Sequence, residues 1–111
     1  MKTMVITKNL VEGYHNYPEA PQDVDFLKYP HRHIFHIECG FEVSGDNREI
    51  EIFQMQRKID NYFKKTFGAP AQFENLSCEM IARVLMGDFE RNRCIYIKVT
   101  EDGEGGAVIQ R

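Results

Sequence analysis

The sequence predicts an α+β domain, a four-stranded antiparallel sheet with two helices on one face, ordered strand, strand, helix, helix, strand, strand. Three observations predict it. Apolar residues alternate at period two over residues 30–44. The period then changes to three and four over residues 50–67, which is helical spacing. The turns between neighbouring strands are short and rich in Gly, Asp and Asn, so those strands pair antiparallel.

The elements follow in order. Lys2 to Leu10 alternates loosely around Val5, Ile6 and Thr7 and predicts a strand running to about Tyr14. Tyr17 to Tyr29 carries Pro18, Pro21, Asp23 and Asp25 and reads as a loop. Pro30 to Ser44 is the clearest strand, with His31, His33, Phe35, Ile37, Cys39, Phe41 and Val43 on one face and the more polar Arg32 to Glu42 set on the other. Gly45-Asp46-Asn47 makes a turn. Ile52, Met55, Ile59, Tyr62 and Phe63 form the stripe of an amphipathic helix over residues 50–67, ended by Gly68-Ala69-Pro70. A second helix is expected next, with Phe73, Leu76, Met80, Val84 and Leu85 as its stripe. Arg93 to Glu101 reads as a strand, Gly103 to Gly106 as a turn and Ala107 to Arg111 as a short last strand. Nothing repeats and no linker interrupts, so residues 1–111 are expected to form one domain.

Composition narrows the function classes. A hydrophobic fraction of 42% is that of a globular chain. A formal net charge of −3, with no basic cluster, argues against nucleic acid and against an acidic membrane surface. No apolar run approaches the roughly 18–20 residues that span a bilayer, and the N-terminus lacks a signal-peptide pattern. A cytoplasmic protein is therefore expected. Cys39, Cys78 and Cys94 are odd in number and widely spaced, so they are expected to be reduced and buried.

All four histidines lie between positions 15 and 36. His31 and His33 are two apart on a strand, which puts both imidazoles on one face about 6–7 Å apart. Two imidazoles so placed suit a shared metal ion, and catalytic zinc takes three protein ligands and leaves a fourth position open. His15 is the natural third ligand, at the end of the preceding strand. The spacing alone also allows an incidental pair. His36 falls on the opposite face and reads as structural.

At this point the chain resembles the tunnelling-fold family of 6-pyruvoyl-tetrahydropterin and 6-carboxy-tetrahydropterin synthases. Val11-Glu12-Gly13-Tyr14-His15 sits where that family has F-x-A-A-H, and His31-Arg32-His33-Ile34-Phe35 where it has H-G-H-N-Y. Ile52-Phe53 stands at its D-F, and Ala71-Gln72-Phe73-Glu74-Asn75 at its P-T-x-E-N. Val99-Thr100-Glu101-Asp102 stands at its V-x-E-T, before a turn and a short strand. The matches run through nearly the whole chain in order. The resemblance implies a tunnelling fold in which several subunits close into a barrel, a homo-oligomer with sites at the interfaces. It implies Zn2+ at His15, His31 and His33, and a pterin or purine-like small molecule as ligand. Glu101 is then the carboxylate that anchors the ring, since two acceptor oxygens side by side pair with two adjacent donors. Glu74 is a second substrate-binding residue on the same basis.

The pattern also breaks. The family's catalytic cysteine, four residues before H-G-H, is here Leu27, and only a folded-back Asp23 or Asp25 stands near. The segment between the helices that carries an Asp-His pair is missing, and Asp60 has no histidine after it. Gln72 replaces a capping threonine, and Arg32 a glycine. No catalytic residue is assigned. The readings left open are a zinc-dependent carbon–oxygen lyase on a dihydropterin triphosphate with degenerate catalytic residues, a non-catalytic metal- and pterin-binding module, and a structural oligomer whose histidine pair is incidental.

Overall fold

The computed structural model describes residues 1–111. Its frame is one long antiparallel pair, β1 (Thr3–His15) and β2 (His31–Val43), in register from Thr3 opposite Val43 to His15 opposite His31. Between them, residues 16–30 fold over the strand ends and contain a 3-10 helix, Gln22–Lys28. The alternation in β2 does what the sequence predicts. Phe35, Ile37, Cys39 and Phe41 are buried on one face, and the Arg32 to Glu42 set lies on the other.

Helix α1 (Ile52–Phe67) buries Met55, Ile59 and Phe63 against β1. Its first turn is capped by the Glu51 carboxylate, which accepts from the Phe53 and Gln54 N–H groups. Gly68 ends it at φ +92°, a conformation open to glycine. Helix α2 (Cys78–Asp88) is capped by Ser77 Oγ on the Met80 N–H and buries Cys78, Ile81, Ala82, Leu85 and Met86. It packs on β4 (Cys94–Glu101) and β5 (Gly105–Gln110). Both helices cover the same face of the sheet and share its core. No helix is long and apolar enough to cross a membrane.

The chain is thus α+β, with its helices on one face of the sheet as predicted. The sheet has five strands rather than four, in the order β3-β1-β2-β4-β5. The added strand, β3 (Ala71–Glu74), runs parallel to β1, so the sheet is mixed. The sequence reading took Phe73 as the start of the second helix. In fact Ala71 and Phe73 alternate inward at period two, Glu74 turns the chain at φ +57°, and the helix waits for Ser77. Its true stripe is one position round from the expected one, which leaves Met80 and Val84 exposed. Gly13 explains why β3 docks there: a Cβ on it would meet the Phe73 ring at 2.7 Å.

Candidate metal centre

Antiparallel pairing brings the three histidines together. His15 lies directly opposite His31, and His33 is opposite Gly13, two residues further along. Their rings contact edge to face, with centroids 4.6 Å (His15–His31), 5.3 Å (His15–His33) and 5.0 Å (His31–His33) apart. Phe35 forms the floor, its ring against both His15 and His33. One nitrogen from each histidine lies within 4.8 Å of the other two, close enough to bind one metal ion.

What holds each ring decides which nitrogen is free. His15 Nδ1 donates to the Leu76 carbonyl at 3.0 Å, and His31 Nδ1 to the Tyr29 carbonyl at 2.9 Å. His33 Nδ1 donates to Asp102 Oδ2 at 2.7 Å, while Asp102 Oδ1 accepts from the Ile34 N–H at 2.8 Å. A carbonyl or carboxylate on Nδ1 requires the Nδ1–H tautomer, which leaves the Nε2 lone pair for a metal. Accordingly, Nε2 of His15 and of His33 are buried and make no hydrogen bond. An unpaired buried imidazole nitrogen costs free energy. A divalent ion on those lone pairs removes that cost, so these residues fit a metal.

Glu101 stands against the same atoms. Its Oε2 is 3.0 Å from His15 Nε2 and its Oε1 3.5 Å from His33 Nε2, close but outside hydrogen-bonding geometry. Burial lowers the His15 pKa below its ordinary value, against the opposing pull of the Leu76 carbonyl and the Glu101 charge. The neutral ring that ligates is therefore favoured. The Ile34 N–H, and then His33, hold the Asp102 carboxyl below its usual range.

His15 and His31 open into a cavity of about 530 Å³, also lined by Leu27, Cys78, Glu101 and Gly106 among others. Cys78, the first residue of α2, points its Sγ at Glu101 Oε2, 3.8 Å away. Burial, with the Glu101 charge added, pushes its thiol up to about 12.

The structure thus brings His15, His31, His33 and Glu101 into one place. Glu74 stays outside: its side chain is exposed and does not line the cavity, and only its carbonyl is engaged, by the Asn16 N–H. The αL turn at Glu74 is the reason, since it ends β3 before the chain reaches the cavity at Asn75. Asp23 and Asp25 do not line the cavity either, and Asp60 accepts from Asn9 where α1 packs on β1. His36 is half-buried on the outer face beside Gly103. All three cysteines are free and buried.

Sequence reasoning missed Asp102 as the support of His33, and Cys78 as part of the cavity. Strand alternation puts Asp102 on the opposite face from Glu101. Only the turn at φ +55° swings it back onto the Ile34 N–H and His33. No protein-family model matches the chain, and no curated protein matches it.

Proposed function

We propose that this chain is a tunnelling-fold, pterin synthase-like protein, a zinc-dependent carbon–oxygen lyase acting on a dihydropterin triphosphate. One observation carries the reading: three imidazoles, each anchored through Nδ1, turn their metal-binding nitrogens toward one another at the edge of a cavity large enough for a bicyclic ring. Three histidines with an open side are the donor set of a catalytic rather than a structural zinc site. His15, His31 and His33 would hold a zinc ion there, and a bound zinc would act as a Lewis acid on substrate oxygens. Glu101 lies close enough to the histidines to serve both the ring and the protons around it. Leu27, at the position of the family's cysteine, lines the same cavity, which supports this reading.

Leu27 itself transfers no proton, and this favours a second reading, a module of the same fold that holds a pterin or purine-like ring without turning it over. In either case the helix-free face of the sheet, which exposes Ile6, Leu10 and Val108, is the surface that several copies would close into a barrel.

Elemental analysis of the purified protein beside a His31→Ala/His33→Ala variant tests the centre. About one zinc per chain, lost in the variant, is the expected result. No metal after zinc is supplied would mean that the histidines are structural. Turnover of a dihydropterin triphosphate then separates the lyase from the binding module, and sedimentation showing only monomer at micromolar concentration would count against the fold assignment.

A further inference from the structure

The two carboxylate oxygens of Glu101 make contacts that no hydrogen bond explains. Glu101 lies opposite Phe35 in the β2–β4 ladder, so its side chain shares the inward face with His33 and with the floor of the centre. Its Oε2 stands 3.0 Å from His15 Nε2 and its Oε1 3.5 Å from His33 Nε2. Both imidazoles already donate through Nδ1, to the Leu76 carbonyl and to Asp102. Their Nε2 atoms therefore present lone pairs, and neither makes a hydrogen bond. His15 is only 8% exposed, so water does not readily relieve its nitrogen. A carboxylate presents lone pairs too. Lone pairs held face to face at this distance repel unless a cation lies between them.

The separations are those of ligands on one ion. Zinc holds an imidazole nitrogen at about 2.0–2.1 Å and a carboxylate oxygen at about 2.0–2.2 Å, so two such ligands at the tetrahedral angle lie roughly 3.3–3.5 Å apart. The contact with His33 matches that distance, and the contact with His15 is a little closer. Zinc tolerates the narrower angle, because its filled d shell imposes no geometry. We propose that Glu101 is the fourth protein ligand of the centre, beside His15, His31 and His33. The inference rests on the metal-binding part of the reading above and goes beyond it, because at rest it closes the position that three histidines leave open. A molecule that reaches the metal from the cavity must take the place of Glu101. The released carboxylate then stays in the cavity wall, where it accepts from the N–H edge of a ring.

The test is a crystal structure of the full chain grown with zinc alone, the ion located by its anomalous signal. Zinc affinity of wild type and Glu101→Ala is measured beside it, by competition against a chromophoric chelator. The melting temperature of the zinc-free proteins is the control for folding. A Glu101 oxygen is expected at about 2.0–2.2 Å from the ion, together with one nitrogen from each histidine. Glu101→Ala is expected to fold normally and to bind zinc at least about tenfold more weakly, since even an outer partner of a ligand is worth about 10–100-fold. Zinc on the three histidines with a water in the fourth position, and Glu101 out of reach, overturns the role of Glu101 and leaves the histidine centre standing. So does a Cys78 Sγ on the ion, at about 2.3 Å, in place of the carboxylate. An affinity loss under about tenfold in a normally folded variant also overturns it. A wild type that takes up no zinc overturns both the ligand role and the metal centre on which it rests.

Discussion

Replacing Asp102 with Asn isolates the support of one metal ligand. Asp102 receives two donors at once, His33 Nδ1–H at 2.7 Å and the Ile34 N–H at 2.8 Å. A carboxylate satisfies both, and an amide satisfies one. If the Asn oxygen faces Ile34, its NH2 meets His33 Nδ1, and the ring must either clash or move its proton to Nε2, the nitrogen needed for the metal. If the amide flips, NH2 meets the Ile34 N–H instead. Asn suits the test because residue 102 sits at φ +55°, a left-handed conformation that Asn tolerates and Ala resists, so backbone strain does not confuse the result. Loss of such a supporting partner typically weakens metal binding about 10–100-fold, and that is the expected fall in zinc affinity. Competition against a chromophoric chelator at fixed pH reads it, with the melting temperature of the zinc-free protein as the control for folding. Affinity within about twofold of wild type, in a normally folded variant, would refute the argument that Asp102 sets the tautomer and angle of His33.

Three further outcomes are expected. Phe35→Ala removes a fully buried ring that supports His15, His33 and Phe73, and should cost about 3–5 kcal/mol in denaturant unfolding and weaken zinc binding with it; a loss under about 1 kcal/mol would show that the floor is not packed as described. Gly106→Ala would place a Cβ on the Val99 carbonyl oxygen, so the β4–β5 pair must open, and amide hydrogen exchange should rise across Gly105–Gln110; unchanged protection there would contradict the close approach. The Glu51 carboxyl is held below its ordinary value of 4.5 by the Phe53 and Gln54 N–H groups it caps. A lowered folded pKa means its stabilisation is fully present above the unfolded value and is lost as pH falls through the folded one. The melting-temperature gap between wild type and Glu51→Ala should therefore hold steady above pH 4.5 and close below it, and a gap that persisted through the acid range would argue against the cap.

Much of the fold was legible in the sequence because periodicity is local. The β2 alternation and the Met55-Ile59-Phe63 stripe place their elements within one or two residues. The segment around Phe73 was misread for an equally local reason. Four residues of strand are too few to establish a period, and Phe73, Leu76 and Met80 mimic a helical stripe. What draws Ala71–Glu74 into the sheet is the bare edge of β1 at Gly13, which is distant in sequence.

The candidate centre divides along the same line. The chain by itself determined that His31 and His33 share a face, because strand geometry allows nothing else, and that His15 ends the strand before them. Tertiary structure alone decided the rest. Hairpin register set His15 opposite His31, the Leu76 carbonyl and the Asp102 carboxylate, both distant in sequence, chose the free nitrogens of His15 and His33, and the turn after β4 carried Asp102 to His33. It also left Glu74 outside and brought Cys78 in, because a side chain's neighbours across a cavity depend on how elements pack, and no spacing along the chain encodes that.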